Sequence, residues 1–427
     1  MSTRYTIGEA IETLMQGGMP LRFTAYDGSS AGPPDAEHHL ELLNERGLSY
    51  IMTAPGDLGL ARAYVAGDLV LSGPGSHPGN PYEAFSLMMK HTHFRRPSPA
   101  ELVSIVRSLG ISNLKPPAPP PQEHLPRWRR LVEGLRHSET RDAEAIHHHY
   151  DVSNEFYEMV LGPSMTYTCA VFPTADATLE EAQANKYDLI ARKLDLQPGQ
   201  RLLDLGCGWG GMVRHAAREY GVHALGVTLS REQATWAQQA IKEEGLDHLA
   251  EVRFMDYRHV EETGFDAISS IGLTEHIGVK NYPSYFGWIK DHLKPQGRLL
   301  NHCITRYDNK PRNTGAFIDR YVFPDGELIG SGTIITEVQD AGLEVQHEEN
   351  IRVHYAKTLE GWSKNLEANW DACVAEVGEG TARVWGLYMV GSRIGFERNE
   401  IQLHHVLATK TDESGASGYP LRHDFGV

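Results

Sequence analysis

The sequence predicts an α/β fold, a doubly wound and mostly parallel seven-stranded sheet with helices on both faces, preceded by a smaller α+β domain. Three observations predict it. Residues 202–211 read LLDLGCGWGG, an apolar run ending in Gly206, Gly208 and Gly210, and an amphipathic segment follows at once (Met212, Val213, Ala216, Ala217, Tyr220). Glycine lets the backbone turn sharply and approach a ligand closely, so strand, glycine turn and helix together open a nucleotide-binding sheet. Downstream, short apolar runs alternate with helical patterns, as parallel βαβ units do. Upstream, the proline-rich run KPPAPPPQEHLP at 115–126 reads as a semi-rigid spacer between two domains.

The first domain spans 1–114. Residues 5–14 read as an amphipathic helix and 21–26 as a strand before the turn Gly28-Ser29-Ser30. Residues 38–45 read as a second helix and 50–52 as a strand, and 61–70 and 83–91 continue the α+β pattern. No catalytic constellation is visible here, so the domain reads as a docking or lipid-handling module. Linker and basic helix occupy 115–140. There Arg127, Arg129, Arg130, Arg136 and His137 surround Trp128, Leu131, Val132 and Leu135. Such a helix either lies on an anionic lipid surface or packs one face on its own protein.

The remaining domain spans 141–427. His147, His148 and His149 stand in a row; adjacent helical positions point about 100° apart, so the three cannot converge on one ion, and no metal site is expected. Residues 150–172 are dense in aromatics and carry Cys169. Helix 179–196, with Gln183 and Lys186, leads to the glycine-rich strand. Strand 222–227 ends at Thr228 and is followed by helix 231–244. Strand 250–254 ends at Asp256 and Tyr257, and strand 265–271 ends at Glu275. Helix 284–293 precedes strand 298–304, which carries His302. Residues 320–328 read as an aromatic turn, and 342–351 and 401–409 as the last two strands. Between those strands lies a block with Trp362, Trp370 and Trp385, expected as a lid over the carboxyl edge; 413–427 reads as a loose tail. In such sheets ligands bind outside the carboxyl ends of the strands, where these polar groups fall.

Composition excludes several classes. The 427 residues are 41% hydrophobic and 22% charged, a globular balance with room for two domains. A net charge of -16 argues against a nucleic-acid binder. Four cysteines without a CxxC pair suit a reducing cytosol. The N-terminus lacks the apolar core of a signal peptide, and no stretch reaches the roughly 18 apolar residues of a spanning helix. The expectation is a cytoplasmic protein whose membrane contact is peripheral.

The cofactor reading turns on the second strand. About 20 residues after the glycines a dinucleotide site wants an acidic group for the ribose. Here stands Thr228, with Gln233 one turn into the next helix, which favours S-adenosylmethionine (SAM) over NAD. Asp256 is placed either to accept from an adenine amine or to cap a helix. Tyr167, Thr168 and Tyr257 complete the expected cofactor set.

With these residues in view the chain resembles the cyclopropane-fatty-acid synthase and mycolic-acid cyclopropane synthase family of SAM-dependent methyltransferases. The stretches that carry the resemblance are HHYDVSNEFYEMVL, MTYTCAVF, LLDLGCGWGGM, GVTLSREQ, MDYR, GLTEHIG, NYPSYF and RYVFPDGEL. GDLGLARAYVAGDL in the first domain is similar to the extra domain of bacterial synthases acting on phospholipids. The segment ending in MTYTC looks closer to actinobacterial members that form a 10-methylene chain, the tuberculostearic type, than to those closing a cyclopropane ring. The resemblance implies a bicarbonate site at Cys169, Glu275, His302, Ile304 and Tyr355, and membrane phospholipid with an unsaturated acyl chain as substrate. It further implies a homodimer or higher homo-oligomer and a separate reductase for a methylene product. Asp142 and Glu144 add carboxylates near the expected cofactor-covering loop. A degenerate lipid carrier, an NAD-linked oxidoreductase and a small-molecule methyltransferase are the competing classes. The complete glycine loop, Thr228 and the Cys169–Glu275–His302–Tyr355 set speak against them.

Overall fold

A computed structural model describes residues 4–91, 93–123, 152–310, 314–324 and 326–425. The basic helix expected at 127–136, Asp142, Glu144 and His147 to His149 lie outside the described residues. The fold divides into two compact units.

The first unit comprises Met1–Leu125, Gly315–Val322 and Trp362–Ile394. Its strands are β1 (Met15–Gln16), β2 (Arg22–Ala25), β3 (Ser30–Ala31), β4 (His39–Leu42), β5 (Leu69–Ser72) and β6 (His93–Phe94). Four of them form a sheet in the order β3-β2-β4-β5, and β1 pairs with β6. Two expectations are corrected here. Residues 38–45 hold β4, where Leu40 and Leu42 are buried and Glu41 is exposed, the period-two pattern of a strand. Residues 50–52 lie within the helix Glu45–Thr53, because the Asn44 side chain accepts from the Gly47 N–H at 3.0 Å and starts a helix there. The expected aromatic turn at 320–328 begins inside a short helix, Ala316–Tyr321. The tryptophan block packs within this unit. Trp362 and Trp385 are buried, His77 meets the Trp370 ring edge-on at 5.2 Å, and the Arg383 guanidinium lies 5.3 Å over Tyr64.

The unit is tied by a buried carboxylate. Glu123 accepts from Arg62 Nε and Nη2 at 2.6 and 2.7 Å and from the Tyr321 hydroxyl at 3.2 Å, and it pairs with Arg320.

The second unit comprises Pro126–Thr314, Phe323–Gly361 and Gly395–Val427. It holds β7 (Arg201–Leu205), β8 (His223–Thr228), β9 (Ala250–Phe254), β10 (Phe265–Ile271), β11 (Leu293–Arg306), β12 (Glu344–Asn350) and β13 (Ile401–Thr409). Their order is β12-β13-β11-β10-β7-β8-β9. Neighbours from β9 to β11 are parallel, whereas β13 runs antiparallel to both β11 and β12. β7 is central, buried on both faces, and so reads as a continuous apolar run. Helices Leu179–Leu194, Gly211–Tyr220 and Arg231–Glu243 pack on one face with Leu300 and Leu407; Tyr282–His292 and Ser331–Asp340 pack on the other.

The segment expected as a loose tail is docked. It has no regular structure, but Tyr419 and Phe425 pack on the core, with Arg298 5.3 Å over the Tyr419 ring. Among the described residues no helix is long and apolar enough to cross a membrane.

Candidate active site at the carboxyl edge

The glycine turn after β7 shows why three glycines are needed. Gly206, Gly208 and Gly210 have φ of 70°, 54° and 73°, a left-handed backbone that side chains resist. A Cβ at Gly206 would press on Leu273 at 3.2 Å, and one at Gly210 on Ala237 at 3.1 Å. At Gly208 it would meet nothing within 4 Å. Two glycines therefore allow close packing, and Gly208 borders open space in front of the helix Gly211–Tyr220. N–H groups at a helix start favour polar ligand groups there.

The aromatic segment before the sheet closes over this turn. The Trp209 indole donates to Asn154 at 2.8 Å, and Tyr157 packs between Trp209 and Tyr167 at 4.8 and 5.9 Å. Thr168 accepts from Lys186 Nζ at 2.7 Å, and its methyl lies 3.3 Å from where a Cβ at Gly272 would stand. Tyr167 and Thr168 thus reach the carboxyl ends of β7 and β10.

The second strand delivers a joined pair. Thr228 Oγ1 donates to Gln233 Oε1 at 2.8 Å, both buried, because Ser230 caps the helix Arg231–Glu243 and turns Gln233 back. Asp256 takes the helix-cap alternative. It caps the turn Tyr257–His259 and accepts from the Arg258 backbone, Nε and Nη2 at 2.9, 2.8 and 2.6 Å. Burial pushes this carboxyl up, but the Arg258 hydrogen bonds outweigh it and hold it below the ordinary range. Tyr257 stands edge-on to Tyr285 and Trp288 and packs with them against the core of that sheet face.

The second group of predicted residues is buried beyond β10 and β11. Glu275 lies in the short helix Thr274–Ile277 and is only 7% exposed. Its Oε1 accepts from the Ile304 N–H at 2.6 Å, whereas Oε2 is buried with no partner among the described residues. Burial raises this carboxyl to about 7, against the lowering effect of the Ile304 bond. Ile304 acts here by holding Glu275, since its N–H is already engaged. His302 is 1% exposed, and its Nδ1 is 2.8 Å from His405 Nε2, so only Nε2 is available to a ligand. Burial, helped by Lys186 and Lys193, keeps its pKa well below the ordinary value, and the ring is neutral.

Cys169 and Tyr355 come together through one helix, Arg352–Ala368. The Ala170 N–H donates to Thr358 at 3.0 Å and the Phe172 N–H to His354 at 3.0 Å, so the Cys169 strand of chain is laced to the turns around Tyr355. The Tyr355 ring stacks on Phe396 at 4.5 Å. Burial pushes the Cys169 thiol far up, so it stays protonated and donates to the Ala170 carbonyl at 3.1 Å.

Two further groups belong to the same place. Asp204 on β7 accepts from Ser269 at 2.6 Å, and burial raises it to about 7. Burial also lowers Lys186 to about 7; it senses Cys169 and Asp204 and in turn depresses His302. A carboxylate inside the apolar run LLDL was the available signal for Asp204. Lys186 had only its place on the apolar face of its helix. Near Glu275 and His302 the chain holds a carboxyl raised to about 7 with one buried oxygen unpaired among the described residues, and a neutral imidazole whose Nε2 is left for a ligand. That chemistry fits a small oxyanion, and the open cradle at Gly208 with Thr228 and Gln233 fits a nucleoside cofactor.

A sequence profile described as mycolic acid cyclopropane synthetase matches residues 137–406. A Mycobacterium tuberculosis protein described as "probable fatty acid methyltransferase" is 63% identical over 98% of this chain and 98% of its own. The Escherichia coli cyclopropane-fatty-acyl-phospholipid synthase is 36% identical over 62% of this chain and 68% of its own. Among solved structures, mycolic acid cyclopropane synthase CmaA1 in complex with SAH and CTAB is 32% identical, with a TM-score of 0.60 over 64% of this chain and 99% of its own.

Proposed function

Since the chain belongs to the mycolic acid cyclopropane synthetase family and is a SAM-dependent methyltransferase of fatty acids, we propose that it methylates the double bond of unsaturated acyl chains held in phospholipid. The proposed product is a 10-methylene-type chain, and the proposed base is bicarbonate. When bound, SAM would supply an electrophilic methyl group. An alkene that takes it becomes a carbocation at the neighbouring carbon. A hydride shift moves the charge to the methylated carbon, and loss of a methyl proton then leaves the exo-methylene. Gly206, Gly208, Gly210, Thr228 and Gln233 would hold that cofactor, with Tyr167 and Thr168 over it. Asp256 would contribute by fixing the turn at Tyr257. The chain's own residues then have two tasks. Apolar and aromatic side chains around the acyl chain would keep water from trapping the cation as an alcohol. Glu275, His302 and Tyr355 hold an anion near it, which stabilises the positive charge and accepts the proton.

The observation that carries the reading is Glu275 Oε2, an oxygen of a buried carboxyl raised to about 7, with no partner among the described residues. Membrane contact draws support from the first unit. Leu102, Val103, Ile111 and Leu114 are exposed there, as are Arg96, Arg107 and Lys115 in the same stretch, a mixture suited to an anionic lipid surface. Cyclopropane formation from the same cation is the second reading, favoured by the likeness to the E. coli synthase. Expression in a host rich in oleoyl phospholipids, with gas chromatography and mass spectrometry of the new fatty acids, separates them. A methylene-branched acid supports the first reading, a ring the second, and unchanged lipids neither.

A further inference from the structure

Three strands of the second unit place three polar residues in one row. His302 on β11 lies opposite His405 on β13, and His405 lies opposite Glu349 on β12. Opposed residues in antiparallel strands share a face of the sheet. The helix Leu179–Leu194 covers that face and brings Lys193 to it. The contacts form one line: His302 Nδ1 to His405 Nε2 at 2.8 Å, His405 Nδ1 to Lys193 Nζ at 2.9 Å, and Lys193 Nζ to Glu349 Oε2 at 2.5 Å. Lys193 and both histidines are buried, while the Glu349 side chain is 38% exposed. A buried lysine and two buried histidines are costly in a core and need a reason.

The line has a direction. An ammonium group only donates, so His405 Nδ1 accepts and its proton sits on Nε2. That N–H can only donate onward to His302 Nδ1, which puts the His302 proton on Nε2, the nitrogen left for a ligand. We propose that Lys193 and His405 are positioning residues that lock His302 as an Nε2–H donor toward the anion serving as base. This rests on the proposed function for the identity of the anion, but the tautomer itself is a property of the ligand-free protein. Glu349, in contact with Lys193 Nζ, favours the charged form of the lysine. Burial lowers the lysine, and Glu349 opposes that loss. The charged and titratable groups facing the line are Lys186 on the same helix, His347 on β12, His354 on the helix Arg352–Ala368, and the line's own members.

Nitrogen-15 NMR of the histidine-labelled, ligand-free protein reads the tautomer directly, with His302 and His405 assigned by loss of their signals on substitution. Both should be Nε2–H in the wild type, and Lys193→Met should turn His302 into a mixture of tautomers. A wild-type His302 protonated on Nδ1, or one unchanged by Lys193→Met, overturns the proposal. If Lys193→Met does not fold, Glu349→Gln gives a milder test at a half-exposed site. The alkaline limb of its activity profile should move down by about one pH unit, the low end of what a lost opposite charge produces. An unmoved limb with unchanged melting temperature counts against the role of Lys193. Absence of acyl methylation by the wild type would instead remove the proposed function and leave the tautomer measurement standing.

Discussion

Replacing Glu275 by glutamine separates the chemical role of this residue from its structural one. The amide keeps an oxygen for the Ile304 N–H, which the wild-type Oε1 accepts at 2.6 Å, and it fills the same volume. What it loses is the ionisable oxygen that none of the described residues pairs. Turnover should fall by roughly 10²-fold or more, the range for a lost acid–base function, with SAM binding nearly intact. Bicarbonate should stimulate the wild type and help the variant little. Stability should move the other way. Burial raises Glu275 from 4.5 to about 7. A carboxyl with a raised folded-state pKa favours the native state fully below 4.5, and that benefit is lost as pH rises through about 7. At about 1.4 kcal/mol per pKa unit, the wild type should lose about 3 kcal/mol over that window that the variant does not. Urea unfolding of the ligand-free proteins at pH 5 and pH 8.5 measures this. The stability of the variant relative to wild type should grow with pH, while its activity stays low. A difference that does not change with pH, or a variant with near-normal turnover, refutes the reasoning.

Gly208→Val should abolish SAM binding in calorimetry, because its side chain would enter the open space in front of the turn; an unchanged affinity in a folded variant would contradict the cofactor assignment. Glu123→Ala should destabilise the first unit by about 3–5 kcal/mol, since it strands the guanidinium groups of Arg62 and Arg320; thermal unfolding reads this. Activity on anionic phospholipid vesicles should fall as salt shortens the Debye length below roughly 10 Å, and acyl-CoA in detergent-free buffer should be a poor substrate. Equal turnover on both would argue against a membrane-held chain.

The catalytic sheet was legible because most of its strands, β7, β8, β9, β10 and β13, are short, largely apolar and set off by turn signals. Strands 250–254, 265–271 and 401–409 were read with the bounds they have. The first unit was less legible. His39–Leu42 and Glu45–Thr53 lie too close together for hydrophobic periodicity to separate, and the Asn44 cap decides between them. Trp362 and Trp385 show a limit of another kind. Their apolar character was plain, but sequence distance hid that they join a core built from the first 125 residues. At the site, Glu275 and His302 follow from their places at strand ends. His405 and Lys193 do not, because their meeting depends on the antiparallel register of β13 and on a helix more than 200 residues before it.

The central claim is that a methyl group is added to an acyl double bond and then gives up one of its own protons. It is tested most directly by incubating the purified protein with SAM deuterated on the methyl group and vesicles of unsaturated phospholipid, then weighing the modified acyl chains by mass spectrometry. The account predicts new chains carrying a CD2 unit, from unsaturated lipid only. Chains that keep CD3, or no incorporation at all, would contradict it.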